Sequence, residues 1–126
     1  MKFLSDEWIA RQADGSAAAT DGAFTGSVLT IVTGGPDGEI RYVTTFEDGR
    51  GVSAVLGGVG DWSVSVTLTH GDARAVLDGE ADLNALFIAG RMKVAGDATA
   101  PLVEFLRTEQ LPATVAGRAA LAAVTD

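Results

Sequence analysis

Two stretches of alternating residues, separated by Asp48-Gly49, constrain the fold of this chain more than any other feature. In residues 40–47, mostly apolar side chains alternate with mostly polar ones, which is the period of a strand that has one buried face. Asp-Gly is typical of a two-residue type I′ turn, which would pair Glu47 with Arg50. A further strand would then return through Val52 to Leu56. The sequence therefore predicts a β-hairpin at this point.

The remaining segments predict an α+β fold in one domain, residues 1–126. A period of two also marks residues 26–33, 62–69 and 91–95, which predict three more strands. Helical spacing behind capping residues predicts five helices: residues 5–13, two short helices capped by Asp72 and Asp82, a helix through residues 102–106, and a terminal helix after Pro112. We predict a single five-stranded, mostly antiparallel sheet with helices packed on one face. Ser63, Ser65 and Thr67 should lie on the other face, toward solvent.

Charge and composition exclude several classes of partner and location. The net charge of -8 opposes binding to nucleic acid and docking on anionic lipid. No apolar run approaches the ~20 residues that span a bilayer, and acidic residues follow the start too soon for a signal peptide. The chain has no cysteine, which excludes disulfides and thiolate metal sites. We expect a cytoplasmic protein, by composition bacterial, without stable membrane insertion.

Polar residues with catalytic potential are scattered in this sequence. His70 is the single histidine and has no Ser or Cys nucleophile near it in sequence, so we expect a structural role. The aspartates are explained by local hydrogen bonds at caps and turns. These aspartates are Asp48, Asp61, Asp72, Asp82 and Asp97. The sequence therefore predicts no catalytic residue, no metal site and no cofactor.

Large apolar residues from different elements offer a more specific hypothesis. A sheet covered by helices would bring them together, either as ordinary core or around a ligand cavity. The candidate ligand-binding residues are Phe24, Trp62, Val66, Phe87, Met92, Phe105 and Leu106. Arg91 and Lys93 lie on one face of the strand predicted at residues 91–95. They are candidates for the cavity mouth, where they would bind a ligand carboxylate, or are simply solvent-exposed.

One segment resembles a known family. Gly79-Glu80-Ala81-Asp82, Ala85-Leu86-Phe87 and the run from Gly90 to Asp97 are similar to the signature of the sterol carrier protein 2 family. The start at Phe3–Ile9 resembles small bacterial members. The resemblance implies that this segment forms two helices, a crossing strand and the start of the last helix over an apolar lipid-binding tunnel. It also implies non-catalytic carriage of a fatty acid, an acyl-CoA or a sterol-like lipid.

Two other functions remain open at this stage. An accessory module for protein interaction would have a filled core, so the volume of the cavity distinguishes it from a carrier. A small isomerase would use Tyr42 as oxyanion donor and a buried aspartate as base, and no aspartate lies within an apolar run. A carboxylate with a raised pKa inside the cavity would favour this alternative.

Overall fold

The structure, a computed structural model, describes residues 1–13, 23–58, 60–96 and 99–126. In this part of the chain, helices and strands follow in the predicted order. The elements are α1 (Asp6–Arg11), β1 (Gly26–Gly35), β2 (Gly38–Glu47), β3 (Arg50–Leu56), β4 (Val64–Thr69), α2 (His70–Leu77), α3 (Leu83–Ile88), β5 (Lys93–Gly96), α4 (Thr99–Thr108) and α5 (Pro112–Ala123). The loop predicted after residue 13 and the cap predicted at Asp97 lie outside the described residues.

The strands form one mixed sheet in the order β3-β2-β1-β4-β5. Three neighbouring pairs are antiparallel, and β1 and β4 run parallel to each other. The prediction of an α+β fold with one five-stranded, mostly antiparallel sheet is therefore confirmed.

The Asp48-Gly49 turn sets the register of the β2–β3 hairpin. Glu47 pairs with Arg50, as the sequence predicts. Asp48 and Gly49 have φ angles of 48° and 81°, so both central residues have the positive φ that a type I′ turn requires. The third strand begins at Arg50, directly after the turn, and runs through Val52 to Leu56, as predicted.

The inner face of the sheet carries the core. Val28, Val32, Val64, Val66 and Leu68 are at most 5% exposed and belong to one hydrophobic cluster. Helices complete this cluster with Trp8, Ile9, Val76, Leu77, Leu86, Phe105 and Leu106. The alternation in β4 therefore places its valines and leucine on the side that the helices cover.

The outer face of the sheet is less exposed than the sequence predicts. The link after β3 lies against this face, since Gly57 N donates to Arg41 O at 2.7 Å and a methyl group built on Gly58 would lie 3.8 Å from Leu29 Cδ1. Leu29 is buried, and Ser65, its partner in the parallel ladder, is only 7% exposed. The expectation that Ser65 faces solvent is wrong, although the register is as predicted. Ser63 and Thr67 are half-buried.

Of the predicted helix caps at Ser5, Asp72 and Asp82, which lie in the described residues, two are present. Ser5 Oγ accepts from Trp8 N at 3.3 Å, and Asp82 Oδ1 accepts from Ala85 N at 2.7 Å.

Asp72 does not cap α2, and this prediction is wrong. Thr69 is the N-cap and its Oγ1 accepts from Asp72 N at 3.2 Å. Asp72 instead lies in the first turn, where its Oδ1 accepts from Arg91 Nη2 at 2.6 Å. The sequence pattern did not distinguish these roles because Thr69 and Asp72 are both suitable caps.

Alanine substitutions at two glycines test the packing around the β2–β3 turn. Gly38 and Gly49 both have positive φ, but a methyl group on Gly49 would lie 2.9 Å from Ala23 Cβ, whereas one on Gly38 would meet nothing within 4 Å. We expect Gly38→Ala to cost about 1 kcal/mol through backbone strain alone, and Gly49→Ala to cost about 2 to 4 kcal/mol through strain and crowding. Urea unfolding measures the free energy of unfolding of both variants. Equal losses of stability would contradict the packing around the turn.

Candidate functional site

A cavity of about 130 Å³ lies between the inner face of the sheet and the helices. The sheet contributes Val28, Thr30, Tyr42, Thr44, Phe46, Val66 and Leu68 to its wall. The N-terminal segment and the helices contribute Phe3, Leu4, Trp8, Gln12, Ala73, Val76, Leu77, Leu83, Phe105, Glu109, Arg118 and Leu121. Most of these side chains are apolar, so the cavity would favour an apolar ligand.

Aromatic rings border the cavity in two groups. Phe46 and Phe105 pack on each other with ring centroids 6.0 Å apart, and Phe24 contacts both rings at 5.7 and 5.6 Å. Trp8 lies between Phe3 and Tyr42, with centroid distances of 5.0 and 6.4 Å and near-perpendicular rings. Such edge-to-face contacts stabilise the surrounding wall beyond the area that they bury.

An ion pair between Glu109 and Arg118 is the main charged feature of the wall. Glu109 follows α4 and Arg118 lies in α5, and Arg118 Nη2 donates to Glu109 Oε2 at 2.7 Å and to Glu109 O at 2.8 Å. The two side chains are only 17% and 18% exposed. Burial raises the pKa of the Glu109 carboxyl, while the charge and hydrogen bond of Arg118 act in the opposite direction.

Tyr42 is the second polar group of the wall. Its ring is 7% exposed, and burial raises the pKa of its phenol to about 12. Hydrogen bonds with Thr30 and Gln12 lower this pKa, while the negative charge of Glu109 raises it. The phenol therefore stays protonated at neutral pH and is able to donate a hydrogen bond into the cavity.

Five of the candidate ligand-binding residues lie inside the protein. Val66 and Phe105 line the cavity itself. Phe24, Met92 and Leu106 belong to the same hydrophobic cluster but are not among the lining residues.

The structure places the other four candidates away from the cavity. Trp62 precedes β4 and Phe87 lies on α3, and both are 38% exposed. Arg91 is 64% exposed and pairs with Asp72, and Lys93 is also exposed. None of these four side chains lines the cavity. Trp62 and Phe87 follow patterns typical of buried positions, but packing between elements decides whether such a position is covered. Arg91 and Lys93 are exposed, which is the alternative that the sequence left open for them.

The ion pair and the N-terminal part of the wall were not predicted from the sequence. Glu109 and Arg118 flank Leu111-Pro112, the start of an alanine-rich segment with few other charges. The scarcity of other charges around these two residues was the signal in the sequence that could have indicated a pair. Phe3 and Trp8 reach the cavity only because α1 packs beside the sheet, which no local pattern reveals.

The other candidate groups have structural contacts. His70 begins α2 and its ring packs edge-on against Phe3 at 5.2 Å. Across the described residues, no three His, Asp or Glu side chains are grouped so that they could bind a metal. Nor does any helix in those residues have the length and apolar character needed to cross a bilayer.

Titration of the phenol of the single tyrosine reports on the burial of the cavity wall. Because Tyr42 is the only tyrosine in the chain, its phenolate absorbance should titrate at about 12 in the folded protein and near 10.0 in urea. The phenol of the unfolded chain then loses its proton at a lower pH than the phenol of the folded protein. The stability that the neutral, buried phenol contributes is therefore fully present below the unfolded pKa and is lost as pH rises through the folded pKa. We expect a loss of about 1.3 kcal/mol between about pH 9 and pH 11.

Tyr42→Phe is the control for this titration. The variant lacks the phenol and should lose the phenolate signal together with this part of the pH dependence. A midpoint near 10.0 in the folded wild type would mean that the phenol is solvated.

Comparisons with known proteins give matches among solved structures alone. A scan against family models finds no match, and a search of curated proteins finds no relative. A conserved hypothetical protein of Thermus thermophilus, described as a possible sterol carrier protein, has 14% identity and a TM-score of 0.70, over 96% of this chain and 90% of its own.

Two further structures carry the family name. A crystal structure of sterol carrier protein 2 has 16% identity and a TM-score of 0.69, over 94% of this chain and 98% of its own. A palmitated sterol carrier protein 2-like protein of Aedes aegypti has 18% identity and a TM-score of 0.52, over 65% and 72%. These likenesses confirm the fold that the resemblance of residues 79–97 implies. The chain has the fold of sterol carrier protein 2.

Proposed function

We propose that this protein binds an apolar molecule without changing it chemically, in the cavity between the sheet and the helices. The observation that carries this proposal is a mostly apolar wall with a few polar groups, among them Tyr42, Glu109 and Arg118. Ligand sites commonly combine such a wall with a few polar groups that orient the ligand. Val66 and Phe105 would contact the apolar part of the ligand, and Phe24, Met92 and Leu106 would support that wall.

The similar structures support the same class of ligand. The Aedes aegypti protein was solved in palmitated form, so that protein carries a long acyl chain. The other structures are described as a sterol carrier and a possible one. We therefore propose a single-chain or sterol-like lipid as the ligand.

The size of the cavity sets a condition on this ligand. Sites for drug-sized molecules occupy roughly 300 to 1,000 Å³, and this cavity is about 130 Å³. A full acyl chain therefore requires part of the wall to move. Burying ~15 methylenes would gain on the order of 12 kcal/mol, against association costs of roughly 4 to 15 kcal/mol. We expect micromolar affinity at best.

A variant that fills the cavity tests the proposal. Ala73 lines the cavity, and replacing its methyl group with an aromatic ring would occupy the space that the ligand needs. We expect Ala73→Phe to weaken binding of parinaric acid and of the corresponding alcohol at least about tenfold, since a blocked cavity removes the apolar burial. Fluorescence titration measures both affinities.

The matched control is Ala120→Phe, which makes the same change at an exposed position of α5. It should bind both probes as the wild type does. Native mass spectrometry of gently purified protein should also show a copurified lipid in the wild type and in this control. Equal binding by Ala73→Phe and the wild type would mean that the ligand lies elsewhere.

An isomerase is the second candidate, and one observation favours it. Glu109 is a carboxylate with a raised pKa beside the phenol of Tyr42, which is the pairing of base and donor that such an enzyme needs. Arg118 opposes this role, because it already holds Glu109 Oε2 at 2.7 Å. An ion-paired carboxylate is a weaker base.

Proton exchange distinguishes carriage from isomerisation. We expect no deuterium exchange at the carbons beside the carbonyl of a 3-ketosteroid above the rate in buffer, since Glu109 is engaged by Arg118. Proton NMR in deuterated buffer measures this rate. An acceleration of about 10²-fold or more that Glu109→Gln removes would establish the isomerase instead.

A further inference from the structure

The charges that line the cavity determine which polar head a ligand can have. Among the described residues of the wall, Arg118 is the only cation and Glu109 the only anion, and they are bonded to each other. The pair has no net charge when both groups are ionised. Neither group is therefore free to neutralise a charged ligand.

A carboxylate head would be poorly accommodated in this cavity. Burial of an ionised carboxylate is costly unless a cation pairs with it. The ligand would have to take Arg118 from Glu109, which would leave a second carboxylate in the same small space without its partner. The negative charge of the whole chain, -8, adds to this repulsion.

An uncharged head with one hydroxyl or carbonyl group meets no such obstacle. Tyr42 keeps its proton at neutral pH, because burial raises the pKa of its phenol to about 12. Thr30, Thr44 and Gln12 also contribute polar side chains to the wall. These groups are able to donate and accept hydrogen bonds without separating the ion pair.

We propose that the Glu109–Arg118 pair makes this cavity selective for lipids with an uncharged hydroxyl or carbonyl head over lipids with a free carboxylate. This selectivity rests on the proposed function, since it concerns the ligand of the same cavity. Glu109 is the residue that determines it, because removal of its charge would leave Arg118 available to a ligand carboxylate.

The test compares parinaric acid with parinaryl alcohol, which differ only in the head group. In the wild type we expect the alcohol to bind at least about tenfold more tightly than the acid. Glu109→Gln retains an oxygen that accepts from Arg118 but removes the negative charge. It should shift the ratio of affinities at least about tenfold toward the acid, because the acid then gains a buried cation.

Glu104→Gln is the matched control, since Glu104 lies on α4 and is exposed. It removes the same charge from the chain, so it should leave the ratio of affinities unchanged. An equal shift in both variants would attribute the selectivity to net charge and overturn the role of Glu109. Tighter binding of the acid by the wild type would also overturn the proposal.

Tyr42→Phe provides a second variant if Glu109→Gln does not fold. It removes a donor for the uncharged head, so the preference for the alcohol over the acid should fall about tenfold. A parallel loss for both probes would contradict this assignment. Failure of the wild type to bind either probe would refute the proposed function itself, whereas equal binding of both would refute only the selectivity.

Discussion

The parallel pairing of β1 with β4 is the constraint on which the rest of the structure depends. It aligns Val28 with Val64 and Val32 with Leu68, and all four residues are buried. Parallel neighbours cannot be joined by a tight turn, so the chain must return to the same end of the sheet between them. Here the connection contains the β2–β3 hairpin and a link that lies against the outer face. The outer face is thereby partly covered, and the helices pack on the inner one.

The cavity is present because the short helices fill only part of the space over the inner face of the sheet. α1 and α3 have six residues each, which is less than two turns, so each buries few side chains against the sheet. Glu109 and Arg118 line the resulting cavity at the α4–α5 end. A buried ion pair is seldom more stabilising than well-packed apolar residues of the same size. Its position in the wall of the cavity, which Tyr42 also lines, is what the proposed ligand selectivity requires.

Local patterns in the sequence were sufficient for most of the fold. The hairpin at Asp48-Gly49 follows from turn chemistry and strand period, which depend on neighbouring residues alone. The failures concern tertiary contacts: Ser65 is only 7% exposed on the outer face of the sheet, and Asp72 bonds Arg91, nineteen positions away. The candidate site was predicted less well for the same reason. Val66 and Phe105 line the cavity, but its ion pair depends on how α4 and α5 turn on each other, which periodicity does not specify.

In the proposed function, the same ion pair would link ligand selectivity to the opening of the cavity. None of the twelve residues of α5, all of which are described, is buried, and its N-cap Leu111 makes no side-chain cap hydrogen bond. Elements with so little burial separate from the rest of a protein at low free energy. Arg118 is the residue of α5 that bonds the end of α4, through both the carboxylate and the backbone oxygen of Glu109. A ligand larger than 130 Å³ needs the wall to move, and movement of α5 strains this pair. If the ligand binds as proposed, a head group that leaves the pair intact would allow α5 to pack over the bound chain again, whereas a carboxylate that competes for Arg118 would keep it displaced.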